Sequence, residues 1–137
     1  MRNQKYFKLA ELIKSTTAKK LGIANVPNFN EVYNLYRLTD KVLTPSRILL
    51  GEPITINSGY RCTALNKAVG GKTNSQHIQG LAADIKCKSL DTLFEILKRN
   101  EYVDQLIFET KGKTKWIHVS IAPVGTTPRH IVTHINI

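Results

Sequence analysis

Cysteine is nearly absent from this chain: two residues, Cys62 and Cys87, in 137. Two thiols cannot form the set of bridges that staples a small secreted scaffold. They read as small, partly buried side chains, with a Cys62–Cys87 bridge as an open alternative, because both flank the stretch richest in reactive side chains and spacing alone does not set their distance. Long apolar runs are missing too. Lys8, Glu11 and Lys14 interrupt the hydrophobic residues that follow Arg2 and Lys5, so no Sec-type signal peptide is expected. No stretch approaches the roughly 18 uninterrupted apolar residues of a transmembrane segment. Acidic residues are scarce, ten against twenty Lys and Arg, for a formal charge of +10. That balance favours an anionic partner such as nucleic acid, an acidic membrane surface or an anionic cell wall. The basic residues are scattered, however, with short runs only at Lys19-Lys20 and between Lys111 and Lys115. Without an aromatic and basic platform, no nucleic-acid binding is expected. Low-complexity tracts are also lacking, and 42% hydrophobic content suffices for one domain over 1–137 with an apolar core and no internal boundary.

What is present is a clear alternation of patterns. Phe7, Leu9, Leu12 and Ile13 predict a short helix from about Lys8 to Lys14, and Ser15-Thr16-Thr17 caps a second that ends near Leu21-Gly22. After a turn at Pro27 to Asn30, the three- and four-residue steps of Val32, Leu35, Leu38, Val42 and Leu43 predict a helix from about Glu31 to Leu43. Pro45 bends or restarts it, and Gly51-Glu52-Pro53 ends the helical region before a strand at Ile54 to Asn57. Thr63 caps a helix over Ala64 to Val69, stopped by Gly70-Gly71. Leu81 to Cys87 reads as a strand, and a helix capped by Ser89 carries Leu90, Leu93, Phe94 and Leu97 on one face as far as Arg99-Asn100. Val103 to Glu109 and Lys115 to Ile121 form an antiparallel hairpin, and His130 to Ile137 an edge strand. The fold class is α+β: a small, mostly antiparallel sheet packed with N-terminal and intervening helices.

The chemistry concentrates between Ser58 and Asp84. Ser75, His77, Gly80, Ala82 and Asp84 form an S-x-H-x-x-G-x-A-x-D run, in which Gly80 argues against one continuous helix and for a loop bearing His77 followed by a strand bearing Asp84. A second imidazole, His118, lies in the strand-like Trp116-Ile117-His118-Val119-Ser120. Two imidazoles and one carboxylate leave an open position on a tetrahedral zinc ion, the composition of a catalytic site rather than a closed structural one. Ser75 reads equally as a turn former or as a hydrogen-bonding partner that orients a ligand. Arg61 sits on a loop just beyond a strand end, where it reaches either into a cleft or into solvent. His130 and His134 stand in a strand context that spreads them apart, so they are not counted as ligands.

The blocks S-G-Y-R at Ser58 to Arg61, A-L-N-K-A-V-G-G at Ala64 to Gly71, the Ser75 to Asp84 run and W-I-H-V-S at Trp116 to Ser120 resemble the M15 family of zinc peptidases. That family cuts peptidoglycan stem peptides and includes D-Ala-D-Ala carboxypeptidases and related phage endolysins. The resemblance implies a Zn2+ cofactor held by His77, Asp84 and His118 at the sheet, a peptidoglycan stem peptide as substrate, and Arg61 as a contact to substrate or transition state. Many members carry an acid three residues before the final histidine, where this chain has Lys115. Glu109, near the end of the strand that pairs with the His118 strand, is the expected catalytic base, with Asp104 the weaker choice. The expected function is zinc-dependent hydrolysis of a stem-peptide bond, as a D-Ala-D-Ala carboxypeptidase or an L-Ala-D-Glu type endopeptidase. Such a protein is made in the cytoplasm and acts on the wall, as a phage lytic enzyme or an exported bacterial protein. The alternative is a non-catalytic zinc-containing virion or wall-binding module, for which the lysine at 115 speaks.

Overall fold

Side-chain caps mark where the first helices begin. The computed structural model describes residues 5–137. Helix α1 spans Leu9–Ile13 and α2 spans Thr16–Leu21, where the Ser15 hydroxyl accepts from the Ala18 N–H at 3.1 Å and Gly22 closes the helix with a φ of 68°. Helix α3, Phe29–Leu38, starts two residues earlier than the hydrophobic period predicts. Its boundary is a reciprocal box in which Asn28 Oδ1 accepts from the Glu31 N–H at 2.9 Å and Glu31 Oε1 from the Asn28 N–H at 2.8 Å.

Nor does the helical path stop at Leu43. A π turn over Thr39–Leu43, with the Thr44 N–H bonded to the Thr39 carbonyl, leads directly into α4, Thr44–Leu50. Pro45 lies in the first turn of α4, where its missing N–H costs least, and the widened turn before it relieves the clash of its ring with the preceding carbonyls. Proline therefore re-shapes the helix here without ending it.

Strand β1 is Thr55–Ser58, followed by α5, Thr63–Ala68, a 3₁₀ turn at Gln76–Gln79, β2 at Ala82–Lys86 and α6 at Leu90–Lys98. Two expected caps differ in detail. Cys62 rather than Thr63 holds the cap position of α5, and Ser89 sits at the cap of α6 without a side-chain bond, its N–H donating instead to Glu52 Oε1 at 2.7 Å. Strands β3, Val103–Lys111, and β4, Thr114–Ile121, form the hairpin, and β5, Ile131–Asn136, completes the sheet in the order β1-β2-β4-β3-β5. All pairings are antiparallel except β3 with β5. The parallel pairing follows from where β4 ends: Ile121 lies beside Val103, so residues 122–130 need only step around the start of β3 to lay β5 on its far side.

Alternation along the strands divides the sheet into two faces. Ala83, Ile85, Leu106, Phe108, Ile117 and Val119 join Leu35, Leu38, Val42, Leu43, Leu93 and Leu97 in the apolar core. The opposite face carries Asp84, Ile107, Glu109, Trp116 and His118, and the segment from Gly59 to Leu81 closes over part of it. Both cysteines are free thiols, and burial beside Glu52 pushes Cys87 up to about 11.

That covering segment is tied to the N-terminal helices by polar contacts. The Tyr60 N–H donates to the Leu12 carbonyl at 2.7 Å, while Asn25 donates to the carbonyls of Ile13 and Tyr60 and accepts from the Cys62 N–H at 2.8 Å. Gly80 holds a φ of 73° at the end of the 3₁₀ turn, and a Cβ there would lie 2.5 Å from the Glu31 carbonyl oxygen of α3. Both the backbone conformation and the close approach require glycine. Gly80→Ala is expected to lower unfolding free energy by about 2 kcal/mol or more, read as a lower midpoint in urea. An unchanged midpoint would show that turn and helix separate without cost.

Candidate metal centre

His77 reaches the site from the 3₁₀ turn, Asp84 from β2 and His118 from β4. The Ser75 hydroxyl accepts from the His77 N–H at 3.2 Å, capping the turn and setting the direction in which the ring leaves the backbone. Register does the rest: Asp84 lies directly opposite His118, and His118 directly opposite Ile107, so carboxylate and imidazole share one row across the sheet.

The three side chains converge. His77 Nε2 lies 3.3 Å and His118 Nδ1 3.2 Å from the same oxygen of Asp84, and the ligand atoms of all three lie within 4.8 Å of one another. The imidazoles meet edge to face with centroids 5.2 Å apart. Donors about 2.0–2.1 Å from a tetrahedral zinc ion stand roughly 3.3 Å from one another, which matches the two histidine–aspartate separations.

The tautomer of His77 also fits a cation. Its Nδ1 lies 2.7 Å from the Gly59 carbonyl, which can only accept, so Nδ1 carries the proton. In the neutral ring Nε2 then turns a lone pair toward a carboxylate oxygen, two acceptors in contact within a buried site. A metal ion between them, or a proton on Nε2, resolves the conflict, and the carbonyl behind the ring is the usual outer partner of a ligating histidine. Burial alone would raise the Asp84 carboxyl, but hydrogen bonds and charge from His118 and His77 overcome it and hold the group well below the ordinary carboxylate range. The carboxylate is thus ionised and ready to ligate.

Around the trio lies an open cleft of about 680 Å³ that Arg61, Glu109 and Trp116 also line. Glu109 sits opposite Trp116 in the hairpin, and the indole N–H donates to Glu109 Oε2 at 3.0 Å. Partial burial raises the Glu109 carboxyl, the charge of Asp84 adds to that, and the histidines and the indole oppose it. Arg61 is fixed by its backbone N–H, which donates to the His77 carbonyl at 3.1 Å. Burial lowers the guanidinium, against the pull of Asp84 and Glu109, and its Nε is buried without a hydrogen-bond partner. Lys115, by contrast, is exposed.

Asp104 is otherwise engaged. It is buried, receives Arg129 through Nε and Nη2 and the amide of Gln76, and is held below the usual carboxylate range; burial works against these bonds but does not prevail. It is no free base. His130 Nε2 donates to the Lys98 carbonyl at 2.8 Å, and His134 packs against Phe94 and Phe108, so neither joins the trio. Sequence reasoning missed Asn25, Arg129 and the Gly59 carbonyl, since each acts on a partner distant in the chain.

A family model described as Peptidase M15 matches residues 5–120. Over 34 residues the chain is 50% identical to the zinc D-Ala-D-Ala carboxypeptidase of Streptomyces albus G, a match that covers 25% of this chain and 13% of that protein. Most of that relative's length therefore has no counterpart in the match.

The purified protein is expected to bind about one zinc ion per chain, as measured by elemental analysis after dialysis. His77→Ala and His118→Ala should each lose it. Full occupancy in both variants would mean that other residues hold the metal.

Proposed function

The chain belongs to the peptidase M15 family, and on that premise we propose that it is a zinc-dependent hydrolase of a peptide bond in peptidoglycan stem peptides. The observation that carries this reading is the convergence of His77, Asp84 and His118 within 4.8 Å in a cleft that Glu109 and Arg61 also line. The similarity to a zinc D-Ala-D-Ala carboxypeptidase supports the substrate class.

In this reading His77, Asp84 and His118 are the metal ligands. Zinc bound there supplies Lewis acidity, which makes water more acidic and polarises a carbonyl at neutral pH. Glu109 is the proton carrier: it takes a proton from the attacking water and passes it to the amine that leaves as the C–N bond breaks. The Trp116 N–H occupies Oε2, and Oε1, which accepts no hydrogen bond among the described residues, is left for that transfer. A raised carboxyl suits the task, because a carboxylate that holds a proton too weakly cannot deliver it to the amine. Arg61 stabilises negative charge, either on a substrate carboxylate or on the oxygen of the scissile carbonyl as it becomes anionic. In this reading Glu109 takes the place of the acid that is missing at position 115.

Carboxypeptidase and endopeptidase action differ in whether a free carboxylate adjoins the cut. Among the described residues no helix is long and apolar enough to cross a membrane. The chain's +10 charge suits approach to an anionic wall.

Purified peptidoglycan incubated with the zinc-loaded protein should yield new products by mass spectrometry, either stem peptides one D-Ala shorter or released stems. Absence of any new product would overturn the hydrolase reading. Glu109→Gln should keep its zinc and its fold yet lose activity by about a hundredfold or more. Arg61→Ala should keep zinc and lower kcat/KM by roughly 2 kcal/mol, with Arg61→Lys recovering only part because the forked donor geometry is lost. A raised KM would point to carboxylate binding and a lowered kcat to the transition state.

A further inference from the structure

A second arginine lines the cleft, outside the residues that the family model matches. Arg129 lies in the loop before β5, and its side chain is 57% exposed although it grips Asp104, which is 3% exposed. The grip is close: Nη2 to Oδ2 at 2.7 Å, Nε to both carboxylate oxygens at 3.1 Å, and the Arg129 backbone N–H to Oδ1 at 2.7 Å. Gln76, next to the metal-ligating His77, donates to the same carboxylate at 3.0 Å, which links this pair to the turn that carries His77.

The bonds to Asp104 use Nε and Nη2, and Nη1 carries none among the described residues. An arginine so held loses little freedom on meeting a ligand, since its side chain is already ordered. Its place along the cleft follows from β3. Gln105 pairs with Ile131 close to Arg129, Ile107 with His118, and Glu109 with Trp116. At a rise of about 3.4 Å per residue, Arg129 marks the end of the cleft roughly 7 Å beyond the metal row, on the side away from Glu109. Arg61 feels Asp84 and Glu109, so its charge serves the other part.

We propose that Arg129, held ready by Asp104, binds a carboxylate of the peptide substrate about two residues from the bond that is cut. This rests on the peptidase reading and adds a specificity element to it. The paired alternative is a purely mechanical role, in which Arg129 only fastens the loop before β5.

A stem peptide and copies with each carboxylate amidated in turn separate the two. Affinity is read by titration calorimetry in the Glu109→Gln background with zinc bound, and cleavage is read separately with the wild-type residue at 109. Arg129→Gln should weaken the parent peptide about tenfold, as a rise in KM with kcat within about twofold. It should have no effect on the one peptide whose key carboxylate is amidated, and Arg129→Lys should restore part of the loss. Equal weakening of every peptide, or a lowered melting temperature with unchanged affinity, would leave only the mechanical role and overturn the proposal. If Arg129→Gln does not fold, equal affinity of the Arg129 protein for free and amidated peptides overturns it as well. Cleavage without any effect of Arg129 removes this inference alone; binding that depends on Arg129 without cleavage removes the hydrolase reading alone; no binding removes both.

Discussion

The hydrogen bond between His77 Nδ1 and the Gly59 carbonyl is the constraint on which the site depends. It settles which nitrogen of the ring is free and where that nitrogen points, and so turns a histidine on a short turn into a directed donor. The carbonyl can stand there only because residue 59 has no side chain: a Cβ would collide with the Leu12 carbonyl, which the neighbouring Tyr60 N–H takes as its partner. Helix α1 is five residues long and marginal taken alone, as about a turn and a half of helix is in water. It buries Leu12 in the core and places the Leu12 carbonyl. Asn25 performs the same task from the other side, satisfying three backbone groups of α1 and of the loop that bears Arg61.

The sheet supplies the complementary rigidity. Asp84 and His118 belong to neighbouring strands in the middle of five, β1 and β3 flank them, and the residues before and after each are fully buried. A slip of one residue between β2 and β4 would turn either group into the apolar core, which the buried neighbours forbid. Two members of the trio are thus held by strand register and one by a capped turn. With the His77 ring neutral, its contact with Asp84 is one between two acceptors, which a metal ion or a proton on Nε2 relieves.

How much of this architecture was legible in the chain depends on how local its causes are. Alternation in β2 to β4 and the helical period of α6 announced themselves, because each residue's burial repeats every two or every three to four positions. Motif chemistry singled out His77, Asp84 and His118, and the structure brings those side chains together. The extent of α3 was not. Its start is decided by the Asn28–Glu31 box, and its continuation through Pro45 by a widened turn, neither of which alters the hydrophobic period. Parallel pairing of β5 was invisible because it follows from where β4 ends in space. Asp104 illustrates a further limit: its acidity reads the same in sequence whether it is free or, as here, spent on Arg129, 25 positions later.

The position of Ile137 has a practical corollary. The last residue of β5's extension donates its N–H to the Thr110 carbonyl, and its side chain lines the same cleft as the metal trio. Any polypeptide joined after it emerges at the mouth of that cleft. An oligohistidine affinity handle fused there would bring additional imidazoles to that cleft, where, if the trio holds zinc, they would compete with water and peptide for the coordination position that three ligands leave open. Metal contents measured on material tagged there would count the handle together with the trio.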